Sequence, residues 1–299
     1  MVPAGGRYIY YASRTDTFRI WALADFHLGN IGCHKALLKK HIAEIAADPF
    51  SYWVGIGDYG EYITSDDKRA NAEMRDKEVL PEESLGSVGM TLSTYIRDLL
   101  QPIAHKCLGM GYGNHEFYYM NTKDQQRLHS WLCTELKVAD LGYSFLMNVC
   151  FIRKNVPSKL GQVWMSPDIG KGAAVSAFRL YGHHGAGGAS TRGGKTRRLE
   201  KFMHDNPYAH AYFIGHVHDQ QVLKIPGLDG DRSCEHLVAR DRLGMITGSY
   251  LRTYMQGTQA GYGERAAYGI APLGATIFEF TPDTRESSAR VYAQLGDII

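Results

Sequence analysis

Ile20-Trp21-Ala22-Leu23-Ala24-Asp25-Phe26-His27 is an apolar run that stops abruptly on a carboxylate, with an imidazole two positions further on. Four more runs end in the same manner. Trp53-Val54-Gly55-Ile56-Gly57 precedes Asp58, and Cys107-Leu108-Gly109-Met110 leads through Gly111-Tyr112-Gly113 to Asn114. Arg179-Leu180-Tyr181-Gly182 precedes His183, and Ala211-Tyr212-Phe213-Ile214-Gly215 precedes His216. Runs this short, rich in aromatic and β-branched residues and closed by glycine, predict buried strands rather than helices. Helical stretches lie between several of them, at 35–47, 90–100, 125–136 and 195–204. That alternation predicts an α/β architecture with βαβ connections. In such sheets ligands gather beyond the carboxyl ends of the strands, where all five polar residues fall, so chain order alone predicts that they meet.

With 299 residues, 44% of them hydrophobic, the chain can bury a substantial core, and a single domain spanning 1–299 is expected. Lys+Arg 33 against Asp+Glu 31 leaves a formal charge of +2, too little to drive adhesion to nucleic acid or anionic membrane through the whole-chain field. Any preference for phosphate must be built locally. The five cysteines, Cys33, Cys107, Cys133, Cys150 and Cys234, are scattered and form no C-x-x-C pair, which predicts reduced core thiols rather than a zinc or redox motif. The N-terminal residues lack a charged region followed by an apolar run, and no stretch of about 18 apolar residues occurs. A cytoplasmic protein with no membrane partner is the expectation. The polar segment 59–104, with Ser65-Asp66-Asp67-Lys68-Arg69 and Asp76-Lys77-Glu78, reads as a mostly helical insertion flanking the site. Residues 187–194 form a glycine-rich loop and 227–232 a turn.

The polar pieces, in order, are Asp25-Phe26-His27, Gly57-Asp58, Gly113-Asn114-His115-Glu116, Gly182-His183-His184-Gly185 and Gly215-His216-Val217-His218. A chance G-N-H-E is expected in a chain of this length on the order of once per thousand. Hydrolysing a phosphate ester requires a nucleophile at neutral pH, neutralisation of the phosphoryl oxygens and help for the leaving group. Two divalent ions about 3.5–4 Å apart supply the first two. Asp58, alone after its strand, is the candidate bridge between them. Asp25 and His27, spaced i and i+2, are expected to serve one ion, Asn114 the other, and His216 and His218 to reach adjacent ions. Two such ions against two carboxylates leave the pocket net positive, which draws in a phosphate anion. Imidazole and oxygen donors without thiolate suit manganese, iron or zinc, manganese foremost. His115, beside a ligand but not needed as one, is expected to pass a proton to the leaving group, oriented by Glu116.

The ordered set resembles the calcineurin-like metallophosphoesterases, whose signature is D-x-H, G-D, G-N-H-[D/E], H and G-H-x-H. From Asp25 to His218 the motifs cover about two thirds of the chain. That resemblance implies a four-layer α/β/β/α sandwich, a dinuclear site and metal-binding roles for the matching residues. The family has one histidine in its fourth motif, often followed by glycine. Here His184 precedes Gly185, which favours it as the ligand, with His183 as the alternative ligand or, otherwise, a hydrogen-bonded neighbour able to touch substrate. The Asn114-His115-Glu116 run, the His-Gly-x-Gly-Gly loop and Gly-Gly-Lys look most like the phage and bacterial branch akin to DNA-repair exonucleases.

Two further stretches carry polar or aromatic groups. Gly193-Gly194-Lys195-Thr196 invites a P-loop reading, but Ala189 stands where the first glycine is required, so Lys195 is read as part of a basic rim at a helix start. Gly248-Ser249-Tyr250-Leu251-Arg252-Thr253-Tyr254, with Tyr262 and Tyr268, offers Arg252 to a substrate and aromatic rings for stacking, while packing at the sheet edge accounts better for the tyrosines. The remaining histidines, His34, His41, His105, His129, His204, His210 and His236, are expected at the surface or in packing. Together these residues predict a metal-dependent hydrolase of phosphoesters acting through a metal-bound hydroxide, a phosphodiesterase or nuclease with nucleic acid among its candidate substrates. The alternatives are a phosphomonoesterase on phosphoproteins or nucleotides, and a scaffold that binds metal without catalysis.

Overall fold

The computed structural model describes residues 1–293 apart from 68, 168–173, 190, 231–232, 240 and 259. In chain order the first elements are β1 (Val2–Tyr11), β2 (Phe18–Ala24), α1 (Lys35–Ala47), β3 (Ser51–Gly57), α2 (Val88–Leu100), β4 (Cys107–Gly111), α3 (Asn114–Thr122) and α4 (Leu128–Leu136). There follow β5 (Asp140–Gly142), β6 (Ser144–Arg153), β7 (Val163–Trp164), β8 (Ala174–His183), α5 (Arg192–Asp205), β9 (Ala211–Ile214) and β10 (Gln220–Ile225). The chain closes with β11 (Leu228–Gly230), β12 (Leu237–Ala239), β13 (Arg242–Thr247), α6 (Tyr262–Arg265), β14 (Gly274–Thr281) and β15 (Glu286–Ala293).

Two mixed sheets carry the fold. One runs β10-β13-β9-β8-β6-β1-β7 and the other β15-β14-β2-β3-β4-β5. The strands that end on the polar residues lie side by side and parallel: β2 with β3, β3 with β4, and β8 with β9. Alternation along them explains why each read as a continuous apolar run. On β2, Phe18, Ile20 and Ala22 enter a buried cluster shared by both sheets, whereas Trp21 and Leu23 enter another. The shared cluster joins Tyr52, Val54 and Ile56 of β3 to Phe145, Met147, Val149 and Phe151 of β6 and to Phe178 and Leu180 of β8. Trp21 and Trp53 instead pack with Leu37 and Ile42 of α1, Leu92 and Ile96 of α2, and Leu132 of α4. The seven-stranded sheet has its own helix. Leu199 and Met203 of α5 meet Tyr181, Tyr212, Ile214 and Ile246.

The four expected helices are all present, α1 with the expected bounds, and segment 59–104 carries α2 together with short 3-10 helices at Ala72–Met74, Glu82–Ser87 and Gln101–Lys106. Helix is absent from residues 61–67 and 69–71, where the Asp67 side chain accepts the Arg69 N–H two residues on and stabilises a turn. Two other expectations need correction. Asn114 does not lie in an extended strand end but opens α3, a helix the apolar runs did not signal. Within 227–232, residues 228–230 form β11, while Asp231 and Arg232 lie outside the described residues, as does Lys68 of the insertion. Cys33, Cys107 and Cys133 are buried free thiols as expected, whereas Cys150 is half-buried and Cys234 exposed. Among the described residues no helix is long and apolar enough to cross a membrane.

Candidate metal centre

The register of the parallel strands sets the first two carboxylates beside each other. Ala24 pairs with Gly57, so Asp25 and Asp58 leave their strands together, with Asp25 N–H donating to the Gly57 carbonyl at 2.9 Å and His27 N–H to that of Asp58 at 3.1 Å. The other sheet closes on them. His216 N–H lies 3.2 and 3.0 Å from the two Asp25 carboxylate oxygens, and His184 Nδ1 lies 2.9 Å from the Ile56 carbonyl. The turns are tight. Gly57 has φ +105°, and a Cβ on Gly113 would run into the Asp58 carboxylate. Asp25, His27, Asp58, His216 and His218 themselves take φ between +44° and +69°, a left-handed conformation that costs roughly 1 kcal/mol or more for each residue. The i, i+2 pairs thus converge on one cluster through left-handed turns, not through the strand alternation expected from their spacing. Such strain persists only where the surrounding structure over-determines it, and it concentrates at functional sites.

The side chains form three interlocking triads: Asp25, His27 and His218; Asp58, His184 and His216; and His27, Asp58 and His115. In each triad the ligand atoms all lie within 4.8 Å of one another. His218 Nε2 is 3.2 Å from Asp25 Oδ1 and 3.1 Å from His27 Nε2. His184 Nε2 is 3.2 Å from Asp58 Oδ2 and 3.0 Å from Asn114 Oδ1. Asp58 Oδ2 is also 4.0 Å from His27 Nε2, so one carboxylate faces both halves of the cluster.

Whether this set suits a cation can be judged from its protons. The Ile56 carbonyl and the Glu61 carboxylate, 2.8 Å from His27 Nδ1, hold the Nδ1 protons of His184 and His27 and turn both Nε2 atoms toward the centre of the cluster. There Nε2 of His184 meets two oxygens, and Nε2 of His27 meets another imidazole nitrogen. Without a cation such convergence calls for protons. Burial opposes charge on His27, yet Glu61, Asp58 and Asp25 hold its imidazole up at about 9; burial likewise opposes charge on His184, yet Asp58 and Asp25 hold it at about 9. Burial, with the neighbouring His184 imidazole, pushes His216 down to about 4 against the pull of Asp25 and Asp58. Burial also penalises the Asp58 charge, but the surrounding imidazoles of His184, His115 and His27 hold its carboxyl well below the usual range. A bound cation takes the place of those protons, the usual competition at imidazole and carboxylate ligands. The donors therefore fit metal ions.

Several expected residues have other surroundings. Of the histidine pair, His184 joins the cluster, whereas His183 accepts the Gly185 N–H on Nδ1 at 2.7 Å and packs edge-on against Tyr143 and Phe202. Lys195 Nζ lies at the rim, 3.4 Å from the His218 carbonyl and 3.8 Å from Asp219. Arg252 is tied by its backbone to Gly32, and among the described residues no hydrogen bond or ion pair joins it to the cluster. Tyr250 is buried against Phe26 with its hydroxyl 2.8 Å from His41, which makes it a core residue and not a stacking surface. A separate group, His129, Cys133 and Asp140, also has metal-ligand spacing. There His129 Nε2 already faces the Met110 carbonyl at 3.1 Å.

Glu116 has a different function from the one expected. The His115 imidazole is held by the Glu61 carbonyl, 2.5 Å from Nδ1, while the buried Glu116 carboxylate accepts backbone N–H groups of Asp58 (2.9 Å), Tyr59 (2.7 Å), Gly60 (3.4 Å) and Gly113 (2.8 Å). It clamps the two loops that present Asp58 and Asn114, the Gly113 bond being half of a capping box. Glu116→Gln is expected to cost roughly 3 kcal/mol and lower Tm by roughly 5 °C, because either amide orientation sets an NH2 against two N–H donors. A melt within a degree or two of wild type would remove this account of the clamp.

Glu61 itself was missed. The only signal was a carboxylate three residues after Asp58, in a polar stretch with many others. No family model matches the chain, and no curated protein matches it.

Proposed function

We propose that this chain is a metal-dependent phosphoester hydrolase with a dinuclear centre, similar to the calcineurin-like metallophosphoesterases, and that it acts on phosphodiesters. The observation that carries this reading is the position of Asp58. Its Oδ2 lies between His184 Nε2 at 3.2 Å and His27 Nε2 at 4.0 Å, where a bridging carboxylate belongs. Asp25, His27 and His218 would hold one ion, and Asn114, His184 and His216 the other. When bound, such a pair supplies an activated water and neutralises the phosphoryl oxygens. In this reading Glu61 fixes the His27 tautomer, Glu116 fixes the loops, and His115 Nε2 would protonate the leaving oxygen. The helices on the outer faces of two apposed sheets belong to the same proposal, as the four-layer α/β/β/α sandwich of that family.

The test is a substrate panel with the metal-stripped chain. Adding Mn2+ is expected to restore hydrolysis of bis-p-nitrophenyl phosphate to a greater extent than that of p-nitrophenyl phosphate, and EDTA to remove it. Faster monoester turnover would make the chain a phosphomonoesterase. Stoichiometric metal binding with no hydrolysis of either ester, under any divalent ion, would leave a metal-binding scaffold.

A further inference from the structure

The helix that opens with Asn114 and His115 carries two large aromatic residues that the core does not use. Phe117 is 47% exposed and Tyr118 60% exposed. They stand three and four residues after Asn114, hence on its face of α3, and helix side chains lean toward the N-terminus, here toward the candidate metal centre. The aromatic surface is continuous with that centre. Phe117 lies nearly parallel to Tyr112 with ring centroids 6.4 Å apart, Tyr143 meets both edge-on at 6.5 and 5.8 Å, and the same Tyr143 ring stands 5.5 Å from His184.

A fixed cation completes the arrangement. Arg69 places its guanidinium carbon 5.9 Å over the Tyr118 ring, and Asp67 ties down Nε at 3.1 Å and Nη2 at 2.8 Å. Nη1 lies 3.4 Å from His115 Nε2, at the edge of the cluster. An anchored guanidinium between the proton-donating imidazole and an exposed ring suits a ligand that is anionic at one end and planar at the other.

We propose that Phe117 and Tyr118 form a stacking platform for the nucleobase of a phosphodiester whose phosphate is held between the metal centre and Arg69. This assignment rests on the hydrolase reading above and narrows it to nucleotide esters. Aromatic stacking tolerates every base, so the platform selects for a base without selecting its identity.

The experiment compares thymidine 5′-(p-nitrophenyl phosphate) with methyl p-nitrophenyl phosphate, diesters with the same leaving group and with or without a base. Wild type is expected to favour the thymidine ester, and Phe117→Ala/Tyr118→Ala to reduce that ratio of kcat/KM about tenfold, through KM. Phe117→Leu/Tyr118→Leu keeps apolar bulk without a π face and should lose the preference equally. Retained preference in either double variant overturns the platform. Calorimetry with thymidine 5′-monophosphate separates this proposal from the reading beneath it. Binding that disappears in the double variants, in a chain that hydrolyses no diester, leaves the platform standing and removes the hydrolase. Equal turnover of both diesters by wild type leaves the hydrolase and removes the platform.

Discussion

Asp58→Ala is expected to abolish hydrolysis, with kcat/KM falling about a thousandfold or more, because each ion's stabilisation of the transition state is worth several kcal/mol and both ions depend on this carboxylate. Its Oδ2 faces imidazoles of both halves of the cluster, His184 at 3.2 Å and His27 at 4.0 Å. Removing it should take the metal content of the purified chain from two ions to at most one. The fold should survive. Among the described residues Asp58 Oδ1 accepts the His115 N–H alone, and the N–H of Asp58 itself is held by Glu116, which the substitution leaves in place. Metal analysis beside a thermal melt therefore separates the effect from unfolding. Two ions retained with normal turnover would dispose of the bridging role; Asp25→Ala, which touches His218 and the His216 backbone, should in contrast weaken one ion more than the other.

The residues most legible in the sequence were those where two demands coincide. A strand buried on both faces must be apolar throughout, so Ile20 to Ala24 and Trp53 to Gly57 stood out without their partners being known, and the polar residue closing each run marked the end of the sheet. Chain order then predicted that Asp25, Asp58, Asn114, His183 and His216 meet; the structure brings four of them together and sets His184, which the resemblance favoured, in the place of His183. What did not show is whatever depends on pairing across long separations. β6 alternates Phe145, Met147, Val149 and Phe151 with partly exposed neighbours, and its partner β1 lies some 140 residues away in sequence; neither ends at the cluster. Glu61 and Glu116 show the other limit. A carboxylate that holds an imidazole and one that collects backbone N–H groups look alike in sequence, since the difference lies in which loop is folded over them.

His115→Asn should leave metal content unchanged and lower kcat, by about tenfold for p-nitrophenyl esters and about a thousandfold for alkyl diesters, within the range of general acid catalysis. The dependence on leaving group follows from the chemistry. p-Nitrophenolate departs with little need of a proton, whereas an alkoxide requires one, so a variant that lacks the acid is penalised in proportion to the basicity of the oxygen expelled. The geometry supports a donor in this position. The Glu61 carbonyl holds Nδ1 and leaves Nε2 beside Arg69, and Asp58 Oδ1 anchors the His115 backbone. The same ring also belongs to a triad with His27 and Asp58, so it could instead serve as a ligand. The two roles give different results. A ligand lost to asparagine lowers metal occupancy and slows every ester alike, whereas a lost proton donor keeps the ions and steepens the dependence of rate on leaving-group pKa. An unchanged slope together with full occupancy and full activity would remove His115 from the chemistry altogether.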